Sequence, residues 1–215
     1  MERIVSDVKS RRRYNSTRRQ EQAARTRDAV LAAARHRLLT GGYAATTVAA
    51  VAEDAGVSVE TIYKAFGGKA GLVRAIWERS LGGRGPVPAP VRSDAMSARE
   101  TDAATILRAW GKLAGEVGSE VVPVIRLVQS AAHSDPAMAT LLAESDAFRL
   151  TRMRHNARRL MRVGGLRAGI SLAEVTDVLW TFSSTEMYEL LVLRRGWSAA
   201  QFGRFVGDAM VAALV

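Results

Sequence analysis

The stretch Thr46-Thr47-Val48-Ala49-Ala50-Val51-Ala52-Glu53-Asp54-Ala55-Gly56-Val57-Ser58-Val59-Glu60-Thr61-Ile62-Tyr63-Lys64-Ala65-Phe66 decides how the rest of the chain is read. Val48, Val51, Ala52 and Ala55 share one face at helical spacing. Ahead of them stands a threonine, Thr46 or Thr47, whose hydroxyl can accept from a free backbone N–H. Gly56 ends this helix, and Ser58 can cap the next, from Val59 to Phe66. Two short helices separated only by Gly56, Val57 and Ser58 make a helix-turn-helix. Ala52 stands where the two helices cross, and a larger side chain would hold them apart. Gly56 supplies the positive φ that a tight turn needs. Ile62 returns to the core and leaves Glu60, Thr61, Tyr63 and Lys64 on the outer face. That face suits a DNA major groove. An ordinary helical hairpin with a solvated face would show the same pattern.

Upstream, Val30, Leu31, Ala34, Leu38 and Leu39 line one stripe of a helix that begins near Gln22 and stops at Gly41-Gly42. Before it, Lys9, Arg11, Arg12, Arg13, Arg18 and Arg19 form a basic run with no acid among them. Residues 1–21 therefore read as a disordered basic arm. Such an arm is either a solubilising tail or a segment that folds on phosphates or lies in a minor groove.

Downstream, Thr61-Ile62-Tyr63-Lys64-Ala65-Phe66-Gly67-Gly68-Lys69-Ala70-Gly71-Leu72-Val73 closely resembles the signature of the TetR family of transcriptional regulators. There the recognition helix ends in an aromatic-x-x-Phe pattern, and a lysine opens the fourth helix after a short turn. Gly42 to Val48 and Ala52 to Ser58 match as well, so the resemblance covers residues 22–78 over three helices. It implies a DNA-binding domain over 22–81 with distinct tasks for its residues. Thr46 and Thr47 would meet a phosphate or a groove edge. Ser58, Val59, Glu60 and Thr61 would face the bases. Tyr63, Lys64 and Lys69 would hold phosphates, although the Tyr63 ring could instead pack on the helix edge. Phosphate contacts set register and base contacts set sequence preference. Three positions depart from the family pattern: Ala65 stands where histidine is common, Gly67 where proline is frequent, and Gly68 where a capping side chain is usual. A looser start to the fourth helix is expected.

The totals agree with this reading. The 215 residues carry a net charge of +10, which favours polyanionic partners. Hydrophobic residues make up 48% and aromatics only 6%, a balance that favours close-packed helices over a β-sandwich. The absence of cysteine removes disulfides, thiolate zinc sites and a thiol nucleophile. The first residues are polar and basic, and no apolar run approaches the ~18 residues of a membrane span. A soluble, cytoplasmic chain with no membrane partner is expected. His36, His133 and His155 lie far apart, and no P-loop, nucleophile elbow or dinucleotide fingerprint is present. No enzymatic activity, catalytic group, metal or cofactor is therefore expected. The rival reading is a basic helical module that binds nucleic acid without sequence preference.

Glycines and prolines from Gly82 to Pro90 predict a linker over 82–95, followed by a separate helical domain over 96–215. Ile106, Leu107, Trp110, Leu113, Ala114 and Val117 restore helical spacing up to Gly118. Ser119 can cap a new helix with Pro123 in its first turn. Asp135-Pro136 starts another that runs to Val163 and ends at Gly164-Gly165. Ser171 with Glu174, and Ser198 with Gln201, have capping-box spacing and open helices over 172–195 and 199–214. With no useful strand alternation, the chain reads as all-α, about nine helices.

The segment from Ser183 to Leu191, followed by Arg194 to Ser198, resembles the C-terminal end of many family members. There the last two helices pair with a second copy as a four-helix bundle, which implies a homodimer through 172–195 and 199–214. Two recognition helices on a twofold axis read a palindrome in adjacent major grooves of double-stranded DNA. Phe202, Phe205, Val206, Ala209 and Met210 could serve core and interface together. The family also implies repression and a small-molecule effector pocket in this domain. Trp110, Leu113, Val117, Val128, Met138, Leu142, Phe148 and Trp180 could line it or could be ordinary core. Arg149, Arg152, Arg154, Arg158, Arg159, Arg162 and Arg167 have no acid between them. One turned inward could orient an anionic ligand, but the seven cannot all share one side of a helix.

Overall fold

The computed structural model describes the backbone of residues 2–85 and 87–215 and the side chains of 18–85 and 87–215. The basic arm expected over 1–21 thus lies mostly outside the described side chains. The described residues fold into helices joined by short turns, with no strand. They form two compact units, Met1–Ala75 and Ile76–Val215.

The first unit contains α1 (Glu2–Ala45), α2 (Val48–Ala55), α3 (Val59–Phe66) and the start of α4 (Lys69–Ser80). Gly42, at φ 81 and ψ 170, interrupts the helical path of α1 where the glycine pair predicts a stop. Val30, Leu31, Ala34 and Leu38 of α1 close over Val51, Ala52 and Ile62, all buried. At ~25 cal/mol per Å² of apolar surface, burial of this stripe is the main force holding the short helices together. Arg37 adds a two-pronged ion pair to Asp54 across α1 and α2, with N···O distances of 2.5 and 2.7 Å.

The second unit holds the end of α4, then α5 (Ala89–Arg99), α6 (Ala103–Ala132), α7 (Pro136–Val163) and α8 (Leu172–Phe182). It closes with α9 (Thr185–Tyr188), which runs on into a π-helical stretch Glu189–Arg194, and α10 (Ala199–Leu214). Its core joins Ile106, Leu107, Trp110, Leu160, Leu179, Phe202, Val206 and Met210.

Three expectations about this unit need correction. Helix α5 begins at Ala89, inside the stretch read as linker. Pro90 sits in its first turn, where the missing N–H has no acceptor to lose. Arg92 ties the preceding loop to the helices by donating to the Gly82 and Val87 carbonyls and to both Glu116 oxygens.

Second, α6 passes unbroken through Gly118, Ser119 and Pro123. An interior proline costs a helix ~3 kcal/mol. Burial of Val122, Val124, Ile125, Leu127 and Val128 around Pro123 offsets that loss. Gly118 is no stop signal here but a notch, since a Cβ there would stand 2.5 Å from the Tyr188 ring. Gly111 and Gly115 are notches too. Their added Cβ atoms would lie 2.4 Å from the Gly203 carbonyl and 2.3 Å from that of Ala199, both backbone atoms of α10.

Third, the helix expected over 172–195 is broken. Ser183 leaves helical geometry and Ser184 turns extended, its hydroxyl accepting from the Met187 N–H to cap α9. The chain on either side keeps the caps expected from sequence. Ser171 and Glu174 form a reciprocal capping box, and Asp135 caps α7.

Candidate functional site

Helix α3 is built to present a face. Ser58 accepts from the Thr61 N–H at 3.2 Å, and its hydroxyl lies 3.1 Å from that of Thr61. Gly56, at φ 64, closes α2 in the left-handed conformation that the turn requires. Ile62 is fully buried, which fixes the rotation of the helix. Ser58, Val59, Glu60, Thr61, Tyr63 and Lys64 are all exposed, Tyr63 most among the large apolar side chains of α3. The Glu60 carboxyl is held below its usual range by its own backbone N–H, at the positive end of the helix, and by Ser58.

The two threonines separate. Thr47 is the cap of α2, accepting from the Ala50 N–H at 3.1 Å, and is exposed. Thr46 is buried, and its hydroxyl donates to the Gly42 carbonyl at 2.8 Å, so it belongs to the interior. Lys69 is half-buried. Its Nζ donates to the Tyr43 carbonyl at 2.9 Å and stands 4.2 Å from the centre of the Tyr43 ring. This contact ties the beginning of α4 to the segment after Gly42. Arg27 stacks on Phe66 at 4.5 Å and so braces the far end of α3. Neither Tyr43 nor Arg27 was singled out from sequence.

Between α3 and α4 the chain takes two left-handed residues, Gly67 at φ 74 and Gly68 at φ 113. Gly68 is buried under the Tyr63 ring, 3.1 Å from where its Cβ would be. At Gly67 the backbone takes a φ that proline cannot follow, and a side chain at Gly68 would meet both a left-handed φ and the edge of the Tyr63 ring. Tyr63 rests its ring edge on that glycine while remaining more than half exposed.

The second unit contains a partly open cavity of about 200 Å³ between α4, α5, α6, α7, α8, α9 and α10. Trp110, Leu113, Val117 and Phe148 line it as expected from sequence. Val128, Met138, Leu142 and Trp180 do not. Val128 and Met138 are packed core, and the Trp180 ring lies outside under the Arg149 guanidinium, 4.4 Å away. Sequence periodicity passed over Trp77, Asn156 and Tyr188, which also face the cavity. Trp77 meets Phe148 edge-on at 6.0 Å, and Tyr188 meets Phe202 at 5.0 Å.

Of the seven arginines, Arg149 and Arg152 reach the cavity wall. Burial pushes the Arg149 guanidinium down from its ordinary value, partly countered by Asp146. Arg152 donates to both oxygens of Asp94, and this holds the Asp94 carboxyl below the usual range. Arg159 donates to the Ser97 and Glu100 carbonyls and so fastens the end of α5. Arg154, Arg158, Arg162 and Arg167 are exposed. Among the described residues no group of three His, Asp or Glu side chains converges to hold a metal, and no helix is long and apolar enough to cross a membrane.

A buried-capped-exposed pattern of this kind, on the second helix of a helix-turn-helix, supports a DNA-binding regulator. The profile of the family described as bacterial regulatory proteins, tetR family, matches residues 30–76. SmeT, solved as a triclosan complex, shares the fold at TM-score 0.69 and 20% identity, over 88% of this chain and 91% of its own. FadR from Bacillus subtilis, solved with stearoyl-CoA, does so at 0.68 and 15%, over 87% and 98%. The TetR-family regulator PfmR from Thermus thermophilus gives 0.59 and 20%, over 88% and 97%. No curated protein sequence matches the chain. Residues 30–76 thus match the tetR family model, and most of the chain shares the fold of these solved structures.

Proposed function

We propose that the protein binds a palindromic operator in the cytoplasm as a homodimer, represses from it, and is released by a small molecule held in the cavity. The outward face of α3 carries this reading. Ser58, Val59, Glu60 and Thr61 meet base edges, with Val59 available to a thymine methyl, while Thr47, Tyr63, Lys64 and Lys69 hold phosphates. Thr46 acts only by positioning the beginning of α2, through its bond to Gly42. The dimer forms through α8, α10 and the π-helical stretch. Leu190, Leu193 and Phe205 there are each at least two-fifths exposed, an apolar surface suited to a second copy. The bound molecules in SmeT and in FadR, and the cavity in this chain, support an effector.

Selection from a pool of random duplexes, followed by footprinting, tests the reading. A protected palindrome is expected. Lys64→Ala should weaken binding to all sequences alike and lower the salt slope by about 1, whereas Thr61→Ala should change the preferred sequence. Equal affinity for every duplex would instead establish a basic nucleic-acid binder without sequence preference.

A further inference from the structure

Two buried polar atoms on the cavity-lining side chains have no hydrogen-bond partner, the Trp110 indole Nε1 and the Asn156 amide Oδ1. The two residues are only 6% and 5% exposed. Folded proteins pair nearly all such groups, because a dry, unpaired donor or acceptor destabilises the fold. Two exceptions around one cavity point to a guest. The indole N–H can only donate, and the amide oxygen can only accept.

Charge narrows the guest further. Three lining side chains are charged, Asp146, Arg149 and Arg152. Arg149 faces Asp146 at 3.6 Å and donates to the Trp180 carbonyl. Arg152 is held by two bonds to Asp94, which also meets His155 at 3.1 Å. Each arginine already has a carboxylate neighbour, Asp146 for Arg149 and Asp94 for Arg152. An anion would compete with one of those carboxylates, and a cation would have to draw Asp146 from Arg149. Either exchange gives up a charge-assisted bond in a partly desolvated place. The remaining wall is mostly apolar, with Trp77, Leu113, Val117 and Phe148, and it also carries the hydroxyl side chains of Ser93, Ser145, Ser183, Ser184, Thr185 and Tyr188.

From these observations, and resting on the effector reading above, we infer that the cavity takes a neutral, largely apolar molecule bearing a hydroxyl. The hydroxyl accepts from Trp110 Nε1 and donates to Asn156 Oδ1, and the apolar body fills the aromatic end.

Calorimetric titration of the full chain with 4-pentylphenol, 4-pentylbenzoate and pentylbenzene tests this, because the three differ only in the polar end. The phenol should bind about tenfold more tightly than pentylbenzene, the scale of one or two net hydrogen bonds. It should also exceed the carboxylate. Trp110→Phe with Asn156→Leu should remove the preference of the phenol over pentylbenzene, while unchanged pentylbenzene binding shows the cavity still folded. The single variants then apportion the preference between the two atoms. A tighter carboxylate, an unchanged preference in the double variant, or binding of none of the three overturns the inference. Adding operator DNA separates it from the effector reading. A phenol that binds as expected yet leaves DNA affinity unchanged defeats the effector role alone. Release of DNA by the carboxylate only defeats the inference and leaves that role standing.

Discussion

Gly111→Ala in α6 puts one methyl group against the backbone of α10. Its Cβ would lie 2.4 Å from the Gly203 carbonyl oxygen, 2.5 Å from the Gly207 nitrogen and 2.6 Å from the Gly207 Cα. None of these is the movable end of a side chain. Reaching an ordinary contact of 3.4 Å requires the helices to part by about 1 Å. A gap of that size forfeits a quarter to a half of each dispersion contact across the interface. A buried side chain such as Phe202 or Met210 makes tens of such contacts, so rigid separation is too costly and the helices must bend locally. Overpacking of this kind destabilises by about 1–3 kcal/mol, and three backbone clashes place it at the upper end. Alanine returns about 1 kcal/mol through its better helix propensity. The net loss is about 2 kcal/mol, or about 4–8 °C in the melting transition of a chain this size. Gly41→Ala is the control. It is exposed, it lies in α1, and nothing stands within 4 Å of its Cβ. There the propensity gain acts alone, so Gly41→Ala should leave stability unchanged or raise it by up to about 1 kcal/mol. Helical circular dichroism during thermal and urea unfolding measures both. If Gly111→Ala melts at or above the parent temperature, α6 and α10 are not in backbone contact at that notch and the reasoning fails.

Other perturbations read other parts of the molecule. Gly67→Pro, which installs the residue frequent in the family, should destabilise the first unit by about 1–3 kcal/mol, because proline cannot adopt φ 74; a stabilised variant in urea unfolding would show that the turn takes another path. Thr47→Ala should cost that unit about 1 kcal/mol by uncapping α2, and Thr47→Ser should restore most of it in the same assay. The Glu116 carboxyl is held below its ordinary value first by the Arg92 guanidinium, with the Arg84 N–H adding to it. A depressed carboxylate contributes stability that is present above its unfolded pKa, about 4.3, and is lost as pH falls through the lower folded value. Glu116→Gln should therefore lower stability at pH 7 by up to about 1 kcal/mol, the scale of a partly exposed ion pair, and flatten the decline as pH falls below about 4.3; an unchanged decline in urea midpoints would show that the pair is not formed in solution.

The helix-turn-helix was legible because its determinants are local. The turn at Gly56, the Ser58 cap and the burial of Ile62 each depend on neighbours within one or two helical turns, and periodicity and capping record just that. The same holds for α7, bounded by Asp135-Pro136 and Gly164. Where two residues of one type stood side by side, only the fold chose between them. Thr47 became the cap and Thr46 turned inward to Gly42. Tertiary structure alone decided the meaning of the glycines in α6. Read along the chain, Gly118-Ser119 looks like an ending; read against Tyr188 and α10, Gly111, Gly115 and Gly118 are the places where a helix surface must be bare. It also broke the helix over 172–195 at Ser183-Ser184 and brought those serines to the cavity. The cavity lining stayed hidden for the same reason. An amphipathic pattern shows that a face is turned from water, but core and cavity are equally dry. Which of them Trp110, Val128 or Asn156 meets depends on how several helices, distant in sequence, are spaced around it.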